Sequence, residues 1–283
     1  MKRDHSDSPA SADAKQPRTT STMNQTPFAH KTALVTGACG GLGRAIAEAF
    51  LRAGANVVVA DINAELIADF KEKVSAAYPE CTLVLQADIT KDENVENMFT
   101  EGEKMFGGID FVVNSAGRID RFDAVAEMER QMWDKVIALN LTAPAMISGR
   151  AIKKWLEEGK TGSVVNIASI AGFRGFTCGA AYTASKHGLI GLTKNTAAYY
   201  GAKGIRCNAV AAGQMDTNIA LTLSTEGCNQ DGIARMRRNF PDWGGIEICD
   251  VNKVAEVVLF LSSDAAQIVN GATWTADAGV TAA

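Results

Sequence analysis

Ser169 precedes the run Tyr182-Thr183-Ala184-Ser185-Lys186 in the second half of the chain. Tyr182 and Lys186 stand four positions apart, so on a helix they share one face. A free tyrosine titrates near about 10 and is a poor base at neutral pH. A neighbouring ammonium stabilises the phenolate, which can then take a proton from an alcohol or return one to a carbonyl oxygen. Ser169 can hydrogen-bond that same oxygen and steady the charge developing on it. A Tyr-x-x-x-Lys pair alone is commonplace on helix surfaces, and it gains weight only from a second group far upstream.

That second group is the turn Thr36-Gly37-Ala38-Cys39-Gly40-Gly41-Leu42-Gly43. Gly37 permits a tight turn, and Gly41 and Gly43 let the backbone approach a pyrophosphate. A helix starting there offers free N–H groups and the positive end of its dipole to the phosphates. The spacing differs from G-x-G-x-x-G, so the position between a strand and a helix carries the reading. The candidate dinucleotide set is Gly37, Cys39, Gly41, Leu42 and Gly43, extended by Asp61 and Ile62 at the end of the next apolar run. An acid placed roughly 20 residues beyond the glycines can bind adenosine ribose hydroxyls and repels a 2′-phosphate, which favours NAD over NADP. No Arg or Lys follows Asp61, and Gly40 stands where a phosphate-binding cation would otherwise precede Gly41. The competing structural role for Asp61 is to cap the next helix.

Asn140 is a third feature. Pro144 follows four residues later and has no N–H to give its carbonyl, so a helix through this stretch should kink. On residue types alone, a surface kink with a satisfied asparagine accounts for it.

The elements that must position these groups follow from patterning. Short apolar runs at residues 33–35, 57–60, 82–86, 111–113, 164–168, 205–210 and 272–276 lack in/out alternation, and helical periodicities separate them, such as Leu42, Ala45, Ile46, Ala49, Phe50 and Ala53. This predicts an α/β fold: a Rossmann-like, doubly wound, seven-stranded parallel sheet with helices on both faces and ligands at the carboxyl ends of its strands.

The 283 residues, 47% of them hydrophobic, suit one domain over residues 28–283. A net charge of −4 without long basic runs argues against nucleic acid as a partner. Six cysteines without paired spacing read as reduced thiols in a cytoplasmic protein, and three histidines argue against a histidine-rich metal site. Residues 1–27 are Ser-, Thr-, Asp-, Lys- and Pro-rich and read as a disordered arm with no signal peptide, with Met23 as an alternative start. No apolar run is long enough to span a membrane.

From about Lys31 to the carboxyl terminus the chain resembles the short-chain dehydrogenase/reductase family. The resemblance rests on Thr36-Gly37 with Gly41 and Gly43, on Asp61 and Asp88, on Asn114-Ser115-Ala116-Gly117, and on Asn140, Ser169, Tyr182 and Lys186 in the family's order. It implies that Asp88 and Ile89 contact adenine and that Asn114, Ala116 and Gly117 line the cofactor ribose. It further implies that Asn140, Ser169, Tyr182 and Lys186 form a catalytic tetrad, with Asn140 as the carrier of a proton relay and Lys186 also on the nicotinamide ribose. Gly213, Met215 and Thr217 would flank the nicotinamide. Two departures stand out: Ala212-Gly213 where the family has Pro-Gly, and Asp277-Ala278-Gly279 where it has Asp-Gly-Gly. His187, beside Lys186, reads as a structural neighbour.

The expected function is NAD(H)-dependent interconversion of a secondary alcohol and a ketone on a medium-sized, hydrophobic metabolite of terpenoid, steroid-like, cyclic or polyketide type. The alternatives are a 3-oxoacyl thioester reductase, non-redox isomerase, lyase or cyclase chemistry, or a catalytically silent binding protein. Residues 213–245, with Ile219, Leu221, Leu223, Met236, Phe240 and Trp243, are expected to form a lid, and Phe173, Phe176 and residues 118–122 other walls. Arg235, Arg237 and Arg238 suit a solvated face better than an acidic substrate. By the same resemblance a homo-oligomer, most simply a homotetramer, is expected through Met146, Ile147, Ile152, Trp155, Leu189, Leu192 and Tyr199.

Overall fold

The computed structural model describes residues 27–220, 227–239 and 248–282. The expected arm therefore lies, but for Pro27, outside the described residues, as do Leu221, Leu223, Phe240 and Trp243 of the expected lid. Seven strands, β1 (Thr32–Thr36), β2 (Asn56–Asp61), β3 (Thr82–Gln86), β4 (Phe111–Asn114), β5 (Gly162–Ile167), β6 (Ile205–Ala212) and β7 (Thr273–Ala276), form one sheet in the order β3-β2-β1-β4-β5-β6-β7. Every pairing is parallel. The helices are α1 (Gly41–Arg52), α2 (Ala64–Lys73), α3 (Asp92–Phe106), α4 (Arg130–Ile137), α5 (Ala143–Glu158), α6 (Ala180–Tyr200), α7 (Gln230–Asn239) and α8 (Val251–Ser262).

The continuous apolar strands are explained by two cores. Ala33, Val35, Val57, Val59, Val113, Val165 and Val210 point into one, where α1, α2 and α8 pack. Their alternates Leu34, Val58, Val112, Val164 and Cys207 enter the other, under α3 and α5. Because both faces are covered, most strand positions must be apolar and no alternation survives in the sequence. The chain winds outward from β1 to β3, then crosses to β4 on the far side of β1. That reversal leaves a crevice at the carboxyl ends of β1 and β4.

The second core corrects one expectation. Ile147, Ile152, Trp155 and Leu189 are buried inside the chain, so they cannot form a subunit contact. Trp155, for example, lies under Gly162 and donates its indole N–H to the Ile109 carbonyl at 2.6 Å. Their apolar stripes cover the sheet, leaving only Met146 and Tyr199 of the expected set well exposed. Among the described residues no helix is long and apolar enough to cross a membrane.

Candidate active site

A cleft of about 900 Å³ opens at the strand reversal. Gly37, Gly41, Leu42, Gly43, Asp61, Ile62, Asp88 and Ile89 line it, as do Ala116, Gly117, Ser169, Tyr182, Lys186, Gly213, Met215 and Thr217. The two distant groups of the sequence therefore share one cavity. Cys39, Asn114 and Asn140 are buried behind its wall.

The glycine turn is built so closely that side chains are excluded. Gly37 has φ +63, and a Cβ there would stand 2.9 Å from the Ala116 Cα. At Gly43 a Cβ would fall 2.0 Å from the Gly37 carbonyl oxygen, which no rotamer change can relieve. Gly40 caps α1 without a side-chain hydrogen bond, so the first amides of that helix are left for a ligand. This cradle fits a dinucleotide pyrophosphate. Gly43→Ala is accordingly expected to lose dinucleotide binding in a fluorescence titration and to cost roughly 3 kcal/mol or more of stability in a denaturant melt.

Asp61 does not cap α2. Asn63 does so, accepting from the amides of Glu65 and Leu66 at 2.9 and 3.0 Å. The Asp61 carboxylate instead accepts the amides of Cys39 and Asn63, both at 3.0 Å, and so ties the glycine turn to the end of β2. The Cys39 amide is thereby spent, and its enclosed thiol is pushed up to about 12, first by burial and then by the Asp61 charge. Thr36, at the end of β1, accepts the amides of Ser115 and Ala116, both at 3.1 Å, and clamps the loop after β4. Asn114 donates to Ser148 Oγ at 3.0 Å and to Asn166 Oδ1 at 2.8 Å, holding β4 to its neighbours.

Tyr182 and Lys186 lie on the first turns of α6 and both are buried. Lys186 Nζ sits 5.5 Å from the centroid of the Tyr182 ring and donates to the Ile167 carbonyl at 2.8 Å. Burial pushes the lysine down to about 8. It also pushes the Tyr182 phenol above its ordinary value, with Cys178 adding to the rise, a hydrogen bond with Ser169 opposing it, and Asp120 adding again. Here the structure departs from expectation: the protein by itself does not make the phenol more acidic. Desolvation at the cleft wall wins, and the ammonium is directed at a carbonyl rather than at the phenol oxygen.

The stretch between α4 and α5 is a π-turn, residues Ala138–Thr142, in which the Ala143 amide reaches back five residues to the Ala138 carbonyl. The wider register accommodates Pro144 with no break between the two helices. Asn140 sits in that turn, 1% exposed, so the surface-kink reading does not hold. Its side chain accepts the Arg118 amide at 3.0 Å and donates to the Arg118 carbonyl at 2.9 Å and Ser185 Oγ at 3.1 Å. Ser185 in turn donates to the Tyr182 carbonyl at 2.7 Å. Both Ser185 and Thr36 stand in the motifs read from the sequence, but their bonds to Asn140 and to the loop after β4 were not foreseen, because no local signal links residues so far apart.

Other candidates separate cleanly. Arg118, Ile119, Phe122 and Ile219 line the cleft, whereas Phe173 and Phe176 do not. Arg235 pairs with Glu127 at 2.5 Å, and His187 bonds the Thr183 carbonyl on an exposed face.

Comparison with known proteins places this geometry in context. A family model described as enoyl-(acyl carrier protein) reductase matches residues 37–281. The short chain dehydrogenase/reductase dpchG of Colletotrichum higginsianum is 43% identical over 93% of this chain and 98% of its own length. The 3beta-hydroxysteroid dehydrogenase 2 of Eggerthella lenta is 34% identical over 89% of this chain and 95% of its own. A candidate 2-deoxy-d-gluconate 3-dehydrogenase from Agrobacterium tumefaciens, solved with bound NADP, superposes with a TM-score of 0.76 at 34% identity, covering 92% of this chain and all of that one.

Proposed function

The chain belongs to the short-chain dehydrogenase/reductase family, and from that premise we propose that it interconverts a secondary alcohol and a ketone on a medium-sized, hydrophobic metabolite, with NAD(H) as the cofactor. The observation that carries this reading is the convergence of Ser169, Tyr182 and Lys186 with the glycine cradle in one cavity. Gly37, Gly41 and Gly43 hold the pyrophosphate, Asp61 the adenosine ribose, and Asp88 and Ile89 the adenine side. When bound, the nicotinamide accepts or delivers a hydride, and its positive charge in the oxidised form favours the phenolate.

The chain's own groups move the proton. Ser169 Oγ hydrogen-bonds the substrate oxygen. Tyr182 Oη takes the hydroxyl proton during oxidation and returns it during reduction. Lys186 holds the nicotinamide ribose, and its buried ammonium supports the phenolate electrostatically. Asn140, fixed by Arg118 and Ser185, leaves the π-turn carbonyl to hold a relay water. Ile119, Phe122 and Ile219 supply apolar walls, which suits a substrate of low polarity. The relative that acts on a 3β-hydroxysteroid supports the same class.

The preference for NAD rests on Asp61, whose carboxylate faces the ribose end without a basic neighbour in sequence. Two similar structures hold NADP, and a direct comparison of the two cofactors decides between them. Steady-state assays with a panel of secondary alcohols and cyclic ketones, run with each cofactor, test the whole reading. A wild-type preference for NAD of at least about tenfold in kcat/KM, falling sharply in Asp61→Ser, is expected from losing one charge-assisted contact. Equal use of NADP by the wild type would reject the cofactor assignment, and silence across the panel would count against the substrate class.

A further inference from the structure

The loop after β4 carries a buried carboxylate that no step above uses. Asp120 is 2% exposed, and one oxygen accepts the amides of Gly179 at 3.0 Å and Phe122 at 3.1 Å. The other accepts the amide of Tyr182 at 2.8 Å. Gly179 is the N-cap of α6 and contributes no side-chain cap. Asp120, from the far side of the cleft, therefore does the capping. The contact is so close that a Cβ on Gly179 would stand 2.6 Å from either carboxylate oxygen.

The loop is itself held. The Asp123 carbonyl accepts the Ala180 amide at 2.9 Å, and Asn229 donates to the Arg121 carbonyl and to Asp123 Oδ1. Phe122 between them takes a left-handed backbone, φ +65, and its carbonyl lies where a Cβ on Gly232 of α7 would be only 2.0 Å away. A bulky residue in that conformation persists only where its surroundings impose it. The loop is thus a rigid brace between α7 and the start of α6.

We propose that Asp120 is a positioning residue for Tyr182: by gripping the first turn of α6 it fixes where the phenol stands relative to Ser169 and the cofactor. The proposal rests on the role of Tyr182 given above. Three N–H donors and the helix dipole favour the carboxylate form of Asp120, although burial raises its pKa from the ordinary value. Its negative charge also raises Tyr182. The other ionisable groups around that phenol are Cys178 ahead of α6 and Lys186 on it, Arg118 on the loop, and Asp134 and Lys135 of α4 at the cleft wall, with Asp123 acting on Asp120. None of these binds the Tyr182 amide.

Asp120→Asn keeps the shape but withdraws the charge and leaves one acceptor oxygen, with an NH2 opposed to an N–H, where two oxygens held the three amides of Gly179, Phe122 and Tyr182. It is expected to lower kcat by about tenfold or more through misplacement of the phenol, with the NADH dissociation constant within about twofold of wild type. The pH midpoint of kcat for alcohol oxidation is expected to move down by roughly half a unit or more. A lower kcat with an unmoved midpoint, or an unchanged kcat, overturns the proposal. Should the variant not fold, Gly179→Ala decides: it retains the charge but displaces the carboxylate, and an undiminished kcat there is equally fatal. Hydrogen exchange at the Tyr182 amide adds a readout independent of turnover. Fast exchange in Asp120→Asn supports the grip and wild-type protection refutes it, even if the wild-type protein turns over none of the panel and the reading of the site itself fails.

Discussion

Tyr182→Phe is expected to lower turnover by ~10³-fold or more in both directions while NADH binds with near-normal affinity, because removing a positioned general acid–base forfeits about 10²–10⁴ in rate. The ring itself stays. Its packing against Met132, Val136 and Ala171 involves carbon atoms that Phe also has, so the fold and the cleft should be unchanged. The loss is chemical: without Oη, the substrate proton has no acceptor within the buried wall, and Ser169 cannot act as a base at neutral pH. Steady-state kinetics beside a fluorescence titration of NADH separate the two effects. Turnover within about tenfold of wild type would remove Tyr182 from the reaction, and lost NADH binding would show that the ring had a structural duty instead.

Lys186→Met should push activity and stability in opposite directions. Turnover is expected to fall by about 10² or more, since the buried ammonium one helical turn from the phenol disappears and a charged group placed for the reaction typically contributes on that scale. Stability should rise. Lys186 titrates at about 8 in the fold against 10.5 ordinarily, so holding it charged in the interior costs the native state. At about 1.36 kcal/mol per unit this amounts to roughly 3 kcal/mol. The lost hydrogen bond to the Ile167 carbonyl gives back about 1 kcal/mol. A net gain of roughly 2 kcal/mol at pH 7 follows for the variant.

The sign carries a pH signature. Below about 8 the lysine is protonated both folded and unfolded, and the full penalty weighs on the wild type. Between about 8 and 10.5 the native protein sheds the proton while the unfolded chain keeps it. The unfolded state then binds more protons, so wild-type stability rises with pH across that window. The advantage of the variant should therefore shrink toward pH 10.5. Urea melts at pH 7 and at the alkaline end of the window measure both quantities. A variant less stable than wild type at pH 7 would mean that the buried ammonium is not a burden on the fold.

Much of this protein was legible before folding. Strands such as Val57-Val58-Val59-Ala60 announce a sheet covered on both faces, because only two-sided burial tolerates such a run. The glycine turn and the Tyr182–Lys186 spacing are local signals, since a tight phosphate-binding turn and a shared helix face are each encoded within a few residues. Pro144 marked the disturbance near Asn140 for the same reason, a missing N–H.

What residue order alone could not supply depends on distance in space. Whether Ile147 and Trp155 face another subunit or their own sheet is decided by which helix face the crossover turns inward. The direction in which Tyr182 titrates is set by the dielectric around it, a property of everything packed there rather than of its helix neighbours. Asp120 is one acid among many in the sequence, and only the winding of β4 past α6 brings it onto the Tyr182 amide. Short-range geometry chose the reactive groups, and long-range packing set their charges and held them still.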